Sequence, residues 1–265
     1  MLKPISEAQL KQYNFLNVTE PEQAVSDKYV FISSKKIVKY MKKLDWVPVK
    51  VTSRAKKKGK TTEHVQHYIR FRQKDQRPVI INGDELYPEV IFRNSHDRSC
   101  SASFKIGYYR QVCSNGLVVA EDEIGVSKKH IGISLKEFQK YMNNLIKTFK
   151  RENKVIREYQ TIEMTQKDKV WMAKEALKVR YPEGAPDIKI KDLLVPKQPE
   201  DDIDTLWNVF NVLQQNVLGG GYQYKLDNGK KRTMKKITSA KIDVVLNIKL
   251  WALLNKMYQR VQNRG

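Results

Sequence analysis

The sequence is poor in cysteine, in long apolar runs and in acidic residues, and the first two shortages already exclude classes of protein. Cys100 and Cys113 are the two cysteines. Their spacing forms neither a CxxC metal pattern nor a disulfide framework, which favours a reducing, intracellular setting. No apolar run approaches the roughly 20 residues of a membrane span, and the N-terminus has no signal-peptide pattern. We therefore expect a soluble, cytoplasmic protein.

Motifs for nucleotide hydrolysis and metal catalysis are also missing. No GKS or GKT occurs, and Gly219-Gly220-Gly221 follows a predicted helix, where it is expected to act as a C-cap and hinge. Acidic residues at 84, 85, 89, 97 and 121–123 show no metal-binding spacing, which disfavours a nuclease. A zinc site from His64, His67 and His130 is disfavoured because a spacing of three places strand residues on opposite faces. We expect no metal, no cofactor and no enzyme activity.

One enzymatic alternative rests on histidine and cysteine. His96 and Asp97 could orient and activate the thiol of Cys113 as a nucleophile. The surrounding Asn-Ser-His-Asp sequence is also good turn chemistry, however, and adjacent strand residues point to opposite faces. We favour a structural role for these residues.

Basic residues are in large excess over acidic ones. The chain has 50 Lys and Arg against 29 Asp and Glu, a formal net charge of +21. From Lys35 to Arg77, fifteen basic residues stand against three acids, a local net charge of +12. From Lys225 to Gly265, eleven stand against two, a local net charge of +9. This concentration predicts a polyanionic partner, and nucleic acid ranks above a membrane because no basic helix has an aromatic face.

Strand patterns dominate the first half of the chain, after an N-terminal arm at residues 1–32. A helix is predicted from Ser33 or Ser34 to about Leu44, with lysines opposite its apolar stripe. Alternating segments at 46–54 and 65–72 then predict a β-hairpin with a strongly cationic tip, Arg54-Ala-Lys-Lys-Lys-Gly-Lys60. Further strands are predicted at 79–81, 89–93, 102–112 and 117–120.

Helical patterns dominate the second half. Helices are predicted at 134–157, 165–180, 206–218 and from 239 onwards, the first with a capping box and the second starting at Thr165 with Asp168. Trp207, Phe210 and Trp251 are assigned to the core. Residues 219–237 are predicted to be a basic insertion loop. Strands followed by helices indicate an α+β fold: an antiparallel sheet with a basic hairpin, packed by mostly C-terminal helices in a single domain at 33–265.

Tyrosines alternate with basic residues at three places. This pattern is typical of single-strand nucleic-acid binding, because bases stack on aromatic rings while Lys and Arg contact phosphates. Each tyrosine is also open to interpretation as a half-buried sheet residue. The predicted nucleic-acid contacts are Lys35, Lys39, Lys43, Arg54, Lys56, Lys57, Lys58, Lys60, Tyr68, Arg70, Arg72, Tyr109, Arg110, Tyr222, Tyr224, Lys230, Lys231 and Arg232.

Three motifs stand out: Arg93-Asn-Ser-His-Asp-Arg98, Arg110-Gln-Val-Cys-Ser-Asn-Gly-Leu117 and Leu206-Trp-Asn-Val-Phe-Asn211. Together they resemble the landmarks of a phage- and plasmid-encoded family, domain of unknown function 932, over roughly residues 30 to 255. Arg98 departs from the glycine usual in that family. The resemblance implies a viral or mobile-element origin, and hence the host cytoplasm, but it carries over no catalytic residues.

A second similarity concerns topology alone. The order of basic helix, cationic hairpin, further strands and covering helix is similar to the core of Rad52-like single-strand annealing proteins, which is a fold-level analogy. We therefore expect a homo-oligomeric, non-enzymatic protein that binds single-stranded DNA in recombination, repair or replication. The alternative is a phage interaction or anti-defence factor that binds a host protein or an RNA–protein complex.

Overall fold

The computed structural model of the chain describes residues 3–22, 31–53, 63–81, 83–97, 99–100, 102–110, 116–119, 135–226 and 228–263. Several residues named above lie outside these ranges: Arg54, Lys56, Lys57, Lys58, Lys60, Cys113, His130 and Ser134. The predictions made for them therefore stay predictions.

Helices account for most of the second half of the chain. Within the described residues they are α1 Glu7–Lys11, α2 Asn14–Asn17, α3 Ser34–Lys43, α4 Leu135–Tyr159, α5 Gln166–Arg180, α6 Ile190–Leu193, α7 Leu206–Gly219 and α8 Ala240–Gln262. A 3-10 turn covers Pro199–Asp201. The five long predicted helices are confirmed as α3, α4, α5, α7 and α8.

The described strands are β1 Trp46–Ser53, β2 His67–Gln73, β3 Val79–Ile81, β4 Asp84–Asn94, β5 Ser103–Arg110, β6 Gly116–Val119, β7 Gln223–Lys225 and β8 Lys231–Thr233. A six-stranded sheet has the order β1-β2-β4-β5-β6, with β3 paired to β4, and β7 pairs with β8. The β1–β2 and β2–β4 pairs are antiparallel. The predicted α+β class is confirmed.

Two strand predictions were less accurate. β4 begins at Asp84, whereas the predicted strand begins at Glu89. Proline is usually excluded from the middle of a strand, but β4 continues through Pro88. The insertion at 219–237 contains the β7–β8 hairpin, which the sequence analysis did not predict. Its strands are three residues each and carry no apolar alternation.

Helix α3 shows how the sequence specifies local structure. The Ser33 hydroxyl accepts a hydrogen bond from the backbone N–H of Lys36, which caps the helix N-terminus as predicted. Ile37, Val38 and Met41 are buried on one face. The lysines lie on the opposite face, so the helix has one face for packing and one for solvent.

The chain divides into two compact units. Unit 1 comprises residues 1–79, 86–109 and 120–150, and unit 2 comprises residues 80–85, 110–119 and 151–265. The predicted single domain at 33–265 stays a prediction.

Each unit has an aromatic core of its own. In unit 1, Trp46 stacks on Phe149 with ring centroids 6.3 Å apart, and Tyr108 meets Phe149 edge-on at 5.6 Å. In unit 2, Phe210 meets Trp251 edge-on at 6.1 Å. Trp207, Phe210 and Trp251 are each 1% exposed, which confirms their assignment to the core.

Among the described residues, no helix combines the length and the apolar composition that crossing a bilayer requires.

Candidate nucleic-acid interface

Unit 2 carries a small two-stranded hairpin rich in basic residues, which we call the basic ribbon (residues 223–226 and 228–233). Tyr224 pairs with Arg232 and Lys225 pairs with Lys231 across the two strands. All three residues of β8 are exposed, as is Lys225. Like charges directly opposite each other in an antiparallel pair are destabilising, so the Lys225–Lys231 pair favours an anionic ligand between or beside the two ammonium groups.

Hydrogen bonds fix the base of the basic ribbon to the rest of unit 2. The Gly221 N–H donates to the Met234 carbonyl at 2.7 Å, and the Met234 N–H donates to the Tyr222 carbonyl at 2.8 Å. Met234 is buried. The Arg180 guanidinium donates to the carbonyls of Val217 and Lys235. The cationic end of the ribbon is therefore presented from a well-bonded base.

Gly220, at the end of α7, is required by this anchoring. Its φ is +67°, and a Cβ at this position would lie 2.4 Å from the Met234 carbonyl oxygen. Gly221 has a φ of +97° but no atom within 4 Å of a Cβ, which makes it a matched control. We expect G220A to destabilise the protein by about 2–3 kcal/mol and G221A by only about 1 kcal/mol. Urea unfolding of both variants tests this, and equal losses would contradict the proposed close packing.

Tyr222 and Tyr224 remain candidates for base stacking because both are half-buried and keep part of their surface accessible. Burial raises the pKa of Tyr222 to about 12, so its phenol is neutral at physiological pH. The Lys197 ammonium lies 5.9 Å from the centre of the Tyr222 ring. This arrangement places a cation beside an uncharged aromatic ring, as in many single-strand binding sites.

Helix α3 in unit 1 carries a second basic surface, which we call the lysine row. It consists of Lys35, Lys39 and Lys43, which are spaced four residues apart on one side of the helix and are exposed. Lys42 lies 2.7 Å from the carboxylate of Glu7, and this hydrogen bond lowers the pKa of Glu7. The lysine row keeps its predicted accessibility.

The Tyr68, Arg70 and Arg72 row of β2 does not form an open groove, which corrects the sequence-based prediction. Tyr68 and Arg72 are each 5% exposed, and the Arg70 side chain is 11% exposed. Glu89 contacts both arginines, with distances of 3.0 Å to Arg70 and 2.7 Å to Arg72. The alternation of side chains along a strand places these three residues on one face of β2, as predicted. That face is not accessible to solvent, so it cannot bind a nucleic acid.

Tyr109 is buried beside Arg72, so it is also removed from the predicted interface. The Arg72 guanidinium lies 4.9 Å from the centre of the Tyr109 ring and 4.5 Å from that of Tyr87. These cation–π contacts, together with Glu89, compensate the buried charge inside unit 1.

Arg110 is buried in unit 2 and is likewise not available to a phosphate. Its Nε lies 2.6 Å from an Asp84 oxygen, and its terminal nitrogens lie within 2.8 Å of the Asp201 carboxylate. The Trp207 indole N–H donates to Asp84 at 2.9 Å. The two carboxylates raise the pKa of Arg110, against the effect of burial. Nothing in the local sequence indicates these partners, which are 26 and 91 residues away.

The Asn-Ser-His-Asp segment has structural contacts inside unit 1. Asn94 donates to the Ile32 carbonyl at 2.8 Å, and His96 Nε2 donates to the Phe15 carbonyl at 3.2 Å. The Asp97 carboxylate accepts from the Ser99 N–H at 2.9 Å, which is the turn chemistry noted in the sequence. These contacts support the structural interpretation over a nucleophilic site.

Two histidines in this region are fully buried. His67 Nδ1 donates to the Val65 carbonyl at 2.9 Å, so its Nε2 accepts from the Ser34 hydroxyl at 2.7 Å. The rings of His67 and His96 lie 5.4 Å apart. Burial lowers the pKa of His67 to about 3 and that of His96 to about 4, so both rings are neutral in the folded protein at physiological pH.

The buried histidines predict a loss of stability in mild acid. Both rings titrate near 6.5 in the unfolded chain, so below that pH the unfolded state binds protons that the folded state does not. The stabilisation is complete above pH 6.5 and is lost as the pH falls towards 4. Between pH 7.0 and 5.5 the free energy of unfolding should fall by about 2.5 kcal/mol, as measured by urea titration. An unchanged value would contradict the burial of neutral rings.

In the described ranges of the chain, no group of three or more His, Cys, Asp or Glu side chains is arranged to hold a metal ion. The histidine contacts above are to backbone carbonyls, a hydroxyl and other rings.

Comparison with known proteins extends over most of the chain. Two relatives from Escherichia coli (strain K12), the UPF0380 proteins YfjQ and YafZ, are each 24% identical over 243 residues, which covers 92% of this chain and 87% of each relative. No solved structure matches, so the topological similarity to Rad52-like proteins gains no support. Residues 22–251 match the family described as Domain of unknown function (DUF932). The chain therefore belongs to the DUF932 family.

Proposed function

We propose that the protein is a non-enzymatic nucleic-acid-binding protein of a phage or mobile element. It binds single-stranded DNA in preference to duplex and acts in recombination, repair or replication as a homo-oligomer. The observation that carries the proposal is the basic ribbon, where exposed lysines face each other across the β7–β8 pair. A phosphate removes the repulsion that this pairing creates.

The cross-strand order of the basic ribbon supports a single-stranded ligand. Tyr224 and Arg232 are directly opposite each other and share one face of the hairpin, so an aromatic ring lies beside a guanidinium, while Lys225 and Lys231 share the other face. Single strands have unstacked bases that can lie on a tyrosine while their phosphates contact Lys or Arg. Duplex DNA offers the phosphates but keeps its bases stacked, so it gains less from the tyrosines.

One more residue of the basic ribbon and one further surface extend the proposed interface. Lys230 adds a fourth exposed cation to the basic ribbon, which is consistent with the +9 net charge of residues 225–265. The hairpin-tip lysines at 56–58 and 60 remain predicted phosphate contacts. Tyr68, Arg70, Arg72, Tyr109 and Arg110 take no part, because their side chains are covered and committed to internal contacts.

Fluorescence anisotropy of labelled oligonucleotides across a salt series tests the proposal. Four phosphate contacts on a single strand should give a slope of about −3 in log affinity against log salt. Single strands should bind more tightly than duplexes of the same length. Equal affinity for both would contradict the strand preference. No binding at low salt would remove the proposal and favour the alternative, an interaction protein with an acidic host partner.

A further inference from the structure

Unit 1 contains a lysine-rimmed cleft between α1–α2 and α3. Its volume is ≈ 700 Å³, and Leu10, Leu16 and Val38 form its aliphatic floor. Five lysines and one carboxylate line it, and they include the whole lysine row. Because Glu7 is already paired with Lys42, the rim has an excess of positive charge.

This cleft is poorly suited to nucleic acid. The described residues that line it include no aromatic ring on which a base could stack. An aliphatic floor gains most from an aliphatic side chain, because the contact removes apolar surface from water on both sides. The cationic rim then favours acidic residues next to that side chain. The complementary ligand is therefore an acidic segment with one prominent aliphatic residue.

Unit 2 presents a segment with this chemistry, which we call the acidic turn (residues 200–204). Ile203 is 56% exposed and lies between Asp202 and Asp204. The turn is held in shape at both ends. Asp201 is buried against Arg110, and the Asp204 carbonyl accepts from the Met164 N–H at 2.7 Å. Ile203 is therefore an accessible aliphatic side chain with a carboxylate on each side of it in the sequence.

We propose that the acidic turn of one copy of the protein docks in the lysine-rimmed cleft of a second copy. Ile203 enters the aliphatic floor, and the carboxylates of Glu200 and Asp202 contact the lysine row. Asp204 keeps its internal ion pair with Lys169, at 2.7 Å. The occupant of the cleft is thus a second copy of this chain, and the proposal does not depend on nucleic-acid binding.

The interface has a definite symmetry class. Because the cleft and the acidic turn are different surfaces, the contact is heterologous, and a dimer formed by it leaves one cleft and one acidic turn unused. Such contacts propagate head to tail, to rings if the rotation closes and to filaments if it does not. The assembly should also weaken with salt, because its ionic contacts are at an exposed rim.

A charge exchange between the two surfaces tests the proposal. K39E/K43E gives a cleft that repels the acidic turn, and E200K/D202K gives a turn that repels the cleft. Each variant alone should lose assembly, and an equimolar mixture should recover it, because each kind of cleft then meets a turn of opposite charge. Sedimentation velocity of nuclease-treated protein up to about 100 μM measures the assembly.

Three outcomes would overturn the proposal. The wild-type protein could remain monomeric throughout, both variants could assemble like wild type, or the mixture could fail to recover assembly. If K39E/K43E instead lowers DNA affinity while assembly is unchanged, the lysine row binds nucleic acid and the proposal is wrong. A wild-type protein that stays monomeric would also remove the homo-oligomer from the proposed function, but not the proposed DNA binding, which is measured separately by anisotropy.

A second variant tests the aliphatic contact without altering the charge. I203S should raise the dissociation constant of the assembly by at least about tenfold, as expected for an anchor residue. V195S is the matched control, because Val195 is 57% exposed and lies outside the acidic turn. Equal effects of the two substitutions would exclude a specific role for Ile203.

Discussion

Replacing Arg110 with methionine is expected to lower the free energy of unfolding by about 3–5 kcal/mol, which is a large fraction of the stability of a typical domain. The guanidinium is the shared partner of Asp84 and Asp201, and all three side chains are buried. Methionine has a similar length but no charge. The substitution therefore leaves two carboxylates without their cation in a medium that solvates them poorly. Urea unfolding at pH 7 measures the loss.

A triple variant separates charge from packing in this prediction. Combining R110M with D84N and D201N removes both uncompensated charges at little change in volume. The amide oxygen introduced by D84N can still accept from the indole N–H of Trp207, which now bonds Asp84 at 2.9 Å. We expect the triple variant to regain most of the stability. If the triple variant is as unstable as R110M alone, Arg110, Asp84 and Asp201 stabilise the protein through packing and not through charge.

Reversing the charge of the basic ribbon is expected to weaken single-strand binding by at least about 100-fold at 0.1 M salt. The variant is K230E/K231E/R232E, and all three side chains are exposed. Three lost phosphate contacts should also make the salt slope shallower by about 2. Anisotropy titrations at several salt concentrations measure both quantities. The fold should be unaffected, because no side chain of β8 is buried.

The control for this prediction carries the same change in net charge at another place. K154E/K167E/K174E alters three exposed lysines of unit 2 that lie on or next to α4 and α5. It should reduce affinity far less than the ribbon variant. Similar losses in both variants would mean that DNA responds to net charge alone, and the basic ribbon would lose its assigned role.

Local signals in the sequence predicted the helices well. Thr165 and Asp168 were predicted to start a helix, and they do so at the N-terminus of α5, where they form a capping box. The lysine row is exposed because α3 buries its apolar stripe on the other side. Such features depend on residues three or four positions apart, so the sequence alone contains the necessary information.

The candidate site was harder to predict because accessibility depends on distant residues. A period of two shows which side chains share a face of β2, but not whether another element covers that face. Glu89 and the rings of Tyr87 and Tyr109 enclose Arg72, and no local pattern pairs them. Arg110 was similarly misassigned, because Asp201 is 91 residues away. In both cases a basic residue that looked available compensates a buried carboxylate.

The contacts of the Asn-Ser-His-Asp segment determine when the N-terminal part of unit 1 can fold. The Phe15 carbonyl bonds His96, 81 residues later, and the Ile32 carbonyl bonds Asn94, 62 residues later. Contacts between residues so far apart form slowly, because closing a long loop costs chain entropy before the contact stabilises it. During synthesis the segment that contains α1 and α2 therefore completes its structure only after β4 has been made.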